Sequence, residues 1–281
     1  RLGSAVLAGI PILTVDEVIE RIDAVSLEDV RALAGELFET PRLSAAGSVD
    51  HDELVALAER GVPRTGGGAV PWPAPPEPHG GAVRFVGKDT EQYHVCLGAA
   101  GIARDDERRY TLRVLDNILG GTSSSRLFQA VRERRGLAYS VFSFSGLYAG
   151  AGQVGIYLGT RPDNLTEALE IVGAELERFV ADPADAEELE RSKENVKGRV
   201  VLSLESTTTR MNRLGSAVLA GIPILTVDEV IERIDAVSLE DVRALAGELF
   251  ETPRLSAAGI GPDEDVFRSA LGPVSASLAA A

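Results

Sequence analysis

A single cysteine, Cys96, excludes an intrachain disulfide, and its place in the apolar stretch Val95–Ala100 predicts a small buried strand residue. No apolar run reaches the roughly 18 residues that a membrane-spanning helix requires, so a membrane protein of the helical kind is not expected. Basic side chains are in deficit: 28 Lys and Arg stand against 43 Asp and Glu, a net charge of −15. That balance excludes a broad electrostatic footprint for nucleic acid or anionic lipid. Histidine is scarce as well. His51, His79 and His94 are the three in the chain, and no two lie four apart, so a zinc site assembled from them alone is not expected.

What is present is enough to fold. With 44% hydrophobic residues over 281 positions, the chain can bury a substantial core as one large domain or two smaller ones. Its opening, RLGSAVLAGIPIL, has the look of a secretory leader, with one arginine ahead of a short apolar run. The same thirteen residues recur at Arg213–Leu225 inside a globular pattern, so they read as the end of a core helix and a cytoplasmic protein is expected. The repetition extends further: residues 1–47 and 213–259 are identical without a mismatch. Structural repeats drift in sequence and recur at shorter periods, so this is a single recent, designed or assembly-derived copy. Each copy carries eight acidic and four basic residues, so the pair accounts for −8 of the net charge. The acidity of the chain is therefore partly a result of the copying.

Within each copy, Thr14 and Glu17 (Thr226 and Glu229 in the second) have capping-box spacing and open a short helix. Ser26 and Asp29 (Ser238 and Asp241) open a longer one that runs to about Phe38. Pro41 ends it, Arg42–Ala46 reads as a strand, and Asp50 or His51 starts a helix whose buried face is expected to carry Leu54, Val55 and Leu57. Residues 61–80 are so rich in proline and glycine that they read as a linker, with Trp72 pinning it to a surface. Beyond it, Ala82–Val86 and Gln92–Ala99 read as strands, and a helix from about Asp106 places Leu112, Leu115 and Leu119 on one stripe before Gly120-Gly121 stops it. Ser124 or Ser125 caps a short helix to about Arg134. Ala138–Phe144 and Gly152–Gly159 read as an antiparallel pair, and Asn164–Val180 and Ala184–Leu204 as long amphipathic helices. The copied helices and a strand at Leu255–Gly259 complete the unit. Strands and long helices grouped in this way predict an α+β fold, a mostly antiparallel sheet with helices packed on one face.

The stretch GGTSSSRLFQAVRERRGLAYSVFSFSGLYAGAGQVGIYLGT, Gly120–Thr160, resembles the most recognisable block of the carboxy-terminal domain of M16 (insulinase-like) metallopeptidases. Flanking segments follow in the family's order: KDTEQYHVCLG from Lys88, ELERSKENVKGRVVLSLES from Glu188, TTTRMNRLG from Thr207 and DAVSLEDVRALAGELF from Asp235. SAAGSVDHDELVALAER, from Ser44, resembles the last strand and helix of the preceding domain of that family. The resemblance implies a domain of the M16 and LuxS-like metallohydrolase type at 81–273, a tail of a preceding domain at 1–60, the linker at 61–80 and a terminal tail at 274–281. It also implies exposed apolar surface on the first sixty residues, with a tendency to associate, as a dimer for example.

Such enzymes hold zinc in an HxxEH motif, where two histidines on one helix face bind the metal and the glutamate takes a proton from its water. This sequence has no such motif, so no residue here is expected to activate water, and zinc is expected only in a partner or upstream domain. What the resemblance does carry over is the substrate side. In the segment VRERRGLAY, Arg132 and Tyr139 match the family's pair that reaches into the partner's active site, with Gly136 supplying the turn between them. Tyrosine can donate a hydrogen bond to a developing oxyanion, and arginine can bind a carbonyl or carboxylate. On the residues alone, Arg132 reads as a solvated helix residue and Tyr139 as a strand-core aromatic. Three functions follow: the substrate-side part of a peptidase, a metal-free subunit that pairs with an HxxEH chain, or a peptide-binding domain. GGTSSSR lacks the GK[ST] ending of a phosphate cradle and follows a helix, so phosphate binding is set aside. Arg134 and Arg135 read as helix carboxy-terminal charge.

Overall fold

The computed structural model describes residues 13–38, 45, 50–61, 81–250 and 255–279. The expected linker at 61–80 apart from Gly61, which ends a helix, lies outside the described residues with Trp72 and His79, as does most of the strand expected at Arg42–Ala46, although Ala45 is described and belongs to no element. The chain divides into two compact units. The first contains described residues 81–199, 226–250 and 255–279, and the second contains 13–38, 45, 50–61 and 200–225.

The first unit has the α+β architecture that the sequence predicts. Its elements are β1 (Val83–Gly87), β2 (Tyr93–Gly101), β3 (Ala138–Tyr148) and β4 (Ala151–Thr160), with α4 (Arg109–Leu119) between β2 and β3. Helices α5 (Leu165–Ala181), α6 (Ala186–Ser203, its last turn counted with the second unit), α8 (Val227–Asp235) and α9 (Leu239–Phe250) follow. Strand β5 (Ser256–Gly261) and helices α10 (Glu264–Ala270) and α11 (Ala276–Ala279) close it. The strand order is β1-β5-β2-β4-β3; β1 runs parallel to β5 and every other pairing is antiparallel. Alternation along β2 sets the two faces: Tyr93, Val95 and Leu97 are buried, while His94 and Cys96 are half-buried. Cys96 is thus less enclosed than its apolar neighbours predict, because it points to the face away from the core residues, although burial still pushes its thiol up. Helices α4 and α9 meet the sheet at β3 and β2, and Leu112, Leu115 and Leu119 form the expected stripe, each at most 1% exposed.

Helix α4 begins three residues later than expected. Asp106 and Arg108 are taken up in a local ion pair, the Arg108 backbone N–H also donates to the Asp106 carboxylate at 2.8 Å, and the helix starts only after this turn. Gly120 ends it for a steric reason: a Cβ there would lie 2.2 Å from the Ser143 backbone nitrogen of β3. The glycine-and-serine run is therefore a close-packing device, and Ser125, buried, donates its hydroxyl to the Thr122 carbonyl at 2.6 Å.

The second unit contains α1 (Val15–Asp23), α2 (Leu27–Phe38), α3 (His51–Gly61) and α7 (Thr207–Ala220). Both capping boxes form as predicted: the Glu17 N–H donates to Thr14 Oγ1 at 3.2 Å while Glu17 accepts from the Thr14 N–H, and Ser26 and Asp29 do the same. Arg213–Ala220 lies at the end of α7, so that part of the leader-like run is helical as expected, but it is not core: Ala217 is the one buried residue of α7, and Leu219 and Ile224 are 58% and 56% exposed. The expected burial of Leu54, Val55 and Leu57 does not occur: α3 buries no residue, and Val55 and Leu57 are 41% and 51% exposed. The amphipathic period forms the helix, but the unit has no strand among its described residues to cover the apolar face.

Candidate functional site

Two local irregularities bring Arg132 and Tyr139 together. The short helix expected to run to Arg134 is a π-helix over Phe128–Glu133, with Leu127, Ala130 and Val131 on its buried side. Such turns are rare and concentrate at functional sites. Gly136 then turns the chain at φ 64°, a left-handed conformation in which a side chain is strained. The turn is held by the Leu137 carbonyl, which accepts from Thr160 Oγ1 at 2.6 Å and Asn164 Nδ2 at 3.2 Å, and by Arg135, which donates to the Ala130 carbonyl at 2.9 Å.

The second irregularity is in β3. Ala138 pairs with Thr160 and Ser140 with Gly159, so Tyr139 is the extra residue of a β-bulge. Bulges re-aim side chains, and Tyr139 is 76% exposed, so it is not a strand-core aromatic. The Arg132 guanidinium carbon lies 4.9 Å from the centroid of the Phe128 ring and 5.8 Å from that of Tyr139, two cation–π contacts. Nothing among the described residues hydrogen-bonds to the Tyr139 hydroxyl. Beside Tyr139 opens a cavity of about 300 Å³ whose lining includes Glu91, Gln92, Leu137, Thr160 and Arg161, so both charge signs border it.

The sequence pointed to Arg132, Tyr139 and Gly136 but missed Phe128. Its position four before Arg132 on a helix was the available signal. Arg126 was also missed, and it anchors the start of the turn. Its Nε and Nη2 donate to Glu188 Oε1 and Oε2 at 3.1 and 2.6 Å, Nη1 donates to the Asp182 carbonyl at 2.8 Å, and the pair holds the Glu188 carboxyl below its usual range. On α4, Asp116 accepts from the Ser143 hydroxyl of β3; burial pushes its carboxyl up, opposed by that bond and by the Arg199 charge. Among the described residues no three His, Cys, Asp or Glu side chains converge to hold a metal, so this donor set does not fit zinc. Nor is any described helix long and apolar enough to cross a membrane.

The sequence profile of the Peptidase M16 inactive domain matches residues 24–196, well over half the chain. The chain belongs to the M16 peptidase family. Among its relatives, an uncharacterized zinc protease of Streptomyces coelicolor is 38% identical over 261 residues, covering 89% of the M16 chain and 57% of the relative. One of Bacillus subtilis is 47% identical over 163 residues, 58% of this chain and 40% of its own. The M16 chain thus spans about half the length of these relatives. A solved M16 inactive domain from Pseudomonas fluorescens aligns with a TM-score of 0.76 at 20% identity, over 87% of this chain and 60% of that one. A protease from Helicobacter pylori aligns at 0.74 and 19%, over 87% and 61%. At such identities the likeness carries the fold.

Proposed function

We propose that this chain is the substrate-side part of an M16 peptide-hydrolysing site, with Arg132 and Tyr139 addressing the peptide across from an HxxEH-bearing domain or subunit. The observation that carries the reading is the paired irregularity. A π-turn and a bulge, both departures from regular structure, expose an aromatic hydroxyl and hold a guanidinium against its ring. Packing does not account for a tyrosine 76% exposed at the start of an edge strand whose neighbours Ala138 and Val141 are buried.

In this reading the Tyr139 hydroxyl donates a hydrogen bond to the oxyanion that forms as water attacks the peptide carbonyl. Arg132 binds a neighbouring carbonyl or carboxylate of the substrate, its orientation fixed by Phe128. The cavity beside Tyr139 receives a side chain of the peptide. Zinc and the activation of water belong to the partner, and the residues of this chain contribute oxyanion stabilisation and substrate binding alone. A soluble setting in the cytoplasm is part of the proposal.

The test combines the purified chain with the HxxEH-bearing half of a family member and measures zinc-dependent cleavage of a quenched fluorescent peptide. The chain alone is expected to show none. In the combination, Tyr139→Phe is expected to lower kcat by about 10²–10³, the cost of losing one oxyanion donor. Full activity in that variant would sink the assigned role. Peptide affinity without any effect on cleavage would favour a binding domain instead.

A further inference from the structure

The duplicated segment occurs in two environments in one molecule. Helices α1 and α8 have the same sequence and equivalent bounds, as do α2 and α9, and their caps match bond for bond. Ser26 with Asp29 and Ser238 with Asp241 show the same three distances, 2.9, 2.6 and 3.1 Å. Burial is opposite. Ile234, Val242 and Leu245 are 0%, 0% and 1% exposed, whereas their counterparts Ile22, Val30 and Leu33 are 64%, 52% and 55% exposed. The second copy occupies a seat formed by α4, α5 and β2, and its strand β5 lies between β1 and β2.

Within residues 225–259 the seat recognises nothing that the first copy lacks. Lys193 and Lys197 bind the Asp235 carbonyl and carboxylate at 3.0 and 2.7 Å, Glu107 pairs with Arg233, and Arg108 pairs with Glu248. The first copy carries Asp23, Arg21 and Glu36 at those positions. The copies diverge only after residue 259, where Ile260, Gly261 and Phe267 correspond to Ser48, Val49 and Val55, and a Cβ at Gly261 would lie 2.2 Å from the Tyr93 ring. Phe267 is fully buried, its ring 5.1 Å from that of Phe85, so this flank favours the resident copy.

We propose that residues 13–47 are a second occupant of the seat held by residues 225–259, so that either copy can complete the sheet unit. The seat is selective for the flank and blind to the copy. Gly261 and Phe267 set the resident, and weakening the resident by more than that flank contributes hands the seat to the first copy. The copy left out then carries the exposed apolar face.

The experiment uses the full chain and three variants: Val30→Asp, Val242→Asp and both together. An aspartate at the fully buried position is a desolvated, unpaired charge that the seat cannot accommodate. Val30→Asp is expected to leave Tm within about 2 °C of the parent. Val242→Asp is expected to lower it by about 5 °C or less, and the double variant by more than about 10 °C further, a non-additive pattern. Hydrogen exchange read by mass spectrometry gives the second measurement, since Val242→Asp makes the otherwise identical helix peptides distinguishable by mass. In that variant the Val30 peptide should gain protection and the peptide bearing the substitution should lose it, with β2 still protected. If Val242→Asp melts as low as the double variant and β2 exchanges freely, the proposal is overturned. It is equally overturned if that variant stays folded while the Val30 peptide remains unprotected.

Discussion

Replacing Arg126 by methionine removes the anchor of the π-turn while keeping an apolar stem of similar reach. The side chains of Arg126 and Glu188 are 13% and 20% exposed, and the arginine makes three charge-assisted bonds, two to the carboxylate and one to the Asp182 carbonyl. Breaking a buried pair by removing one partner costs about 3–5 kcal/mol, because the other charge is left uncompensated. Glu188 keeps some solvent and still accepts from the Asp185 N–H at 3.3 Å, which puts the loss near the lower end, about 3 kcal/mol. For a unit of this size that is a fall in Tm of about 6–12 °C.

The loss should depend on pH with a definite sign. The Arg126 hydrogen bonds hold the Glu188 carboxyl below its unfolded-state value of about 4.3, so the stabilisation is present above that value and lost as pH falls through the lower folded one. Thermal melts of parent and variant followed by circular dichroism from pH 7 down to 3 should therefore show a gap that closes at the acid end. Adding 0.5 M salt, roughly, should leave most of the gap at pH 7, since a pair this enclosed is weakly screened. A gap under about 0.5 kcal/mol at pH 7 would refute the reasoning, as would one that persists undiminished at the acid end.

Three further outcomes are expected. Gly120→Ala places a methyl 2.2 Å from the Ser143 nitrogen and should cost about 3 kcal/mol in a urea titration, because backbone has to move to admit it. Gly136→Ala should cost about 1 kcal/mol through its φ of 64° alone, since no atom lies within 4 Å of the added Cβ, and it should weaken peptide binding in the reconstituted site. Asp116→Asn should stabilise the fold at neutral pH. Burial raises the Asp116 carboxyl, so its protonated form favours folding below the unfolded value of about 3.9 and that contribution is lost as pH rises through the folded value. The amide keeps an acceptor for the Ser143 hydroxyl, and the stability profile should lose this slope; an unchanged profile would count against burial as the cause.

Elements whose signals are local were legible in the sequence. Thr14 with Glu17 and Ser26 with Asp29 specify their caps within four residues, and the same caps form in both copies despite opposite surroundings. Gly120 marked the end of α4, and the alternation after Ala138 marked the β3–β4 pair. Burial was not legible by the same means. Val30 and Val242 have identical neighbours for a dozen residues on either side, yet one is half exposed and the other fully enclosed, a difference that only the seat supplies. The parallel pairing of β1 with β5 likewise joins residues 174 apart, as in the Ala82 N–H to Ser256 Oγ contact, and no local pattern records it. At the candidate site the residue identities came from the resemblance, and Gly136 from the need for a turn. The π-turn and the bulge did not, because a helical or strand period carries no mark of where one residue is added.

The π-turn and the bulge also govern how the site can change. Downstream of the π-turn and of the bulge, the direction of a side chain depends on the number of residues as much as on their kind. A substitution between Leu127 and Ser140 leaves that number alone. Inserting or deleting one residue rotates a helical side chain by about 100° or turns a strand residue to the opposite face of the sheet. Arg132 and Tyr139 would then part company even with every letter of RERRGLAY retained. A change of letter at Gly136 strains the turn, but a change of count separates the pair outright.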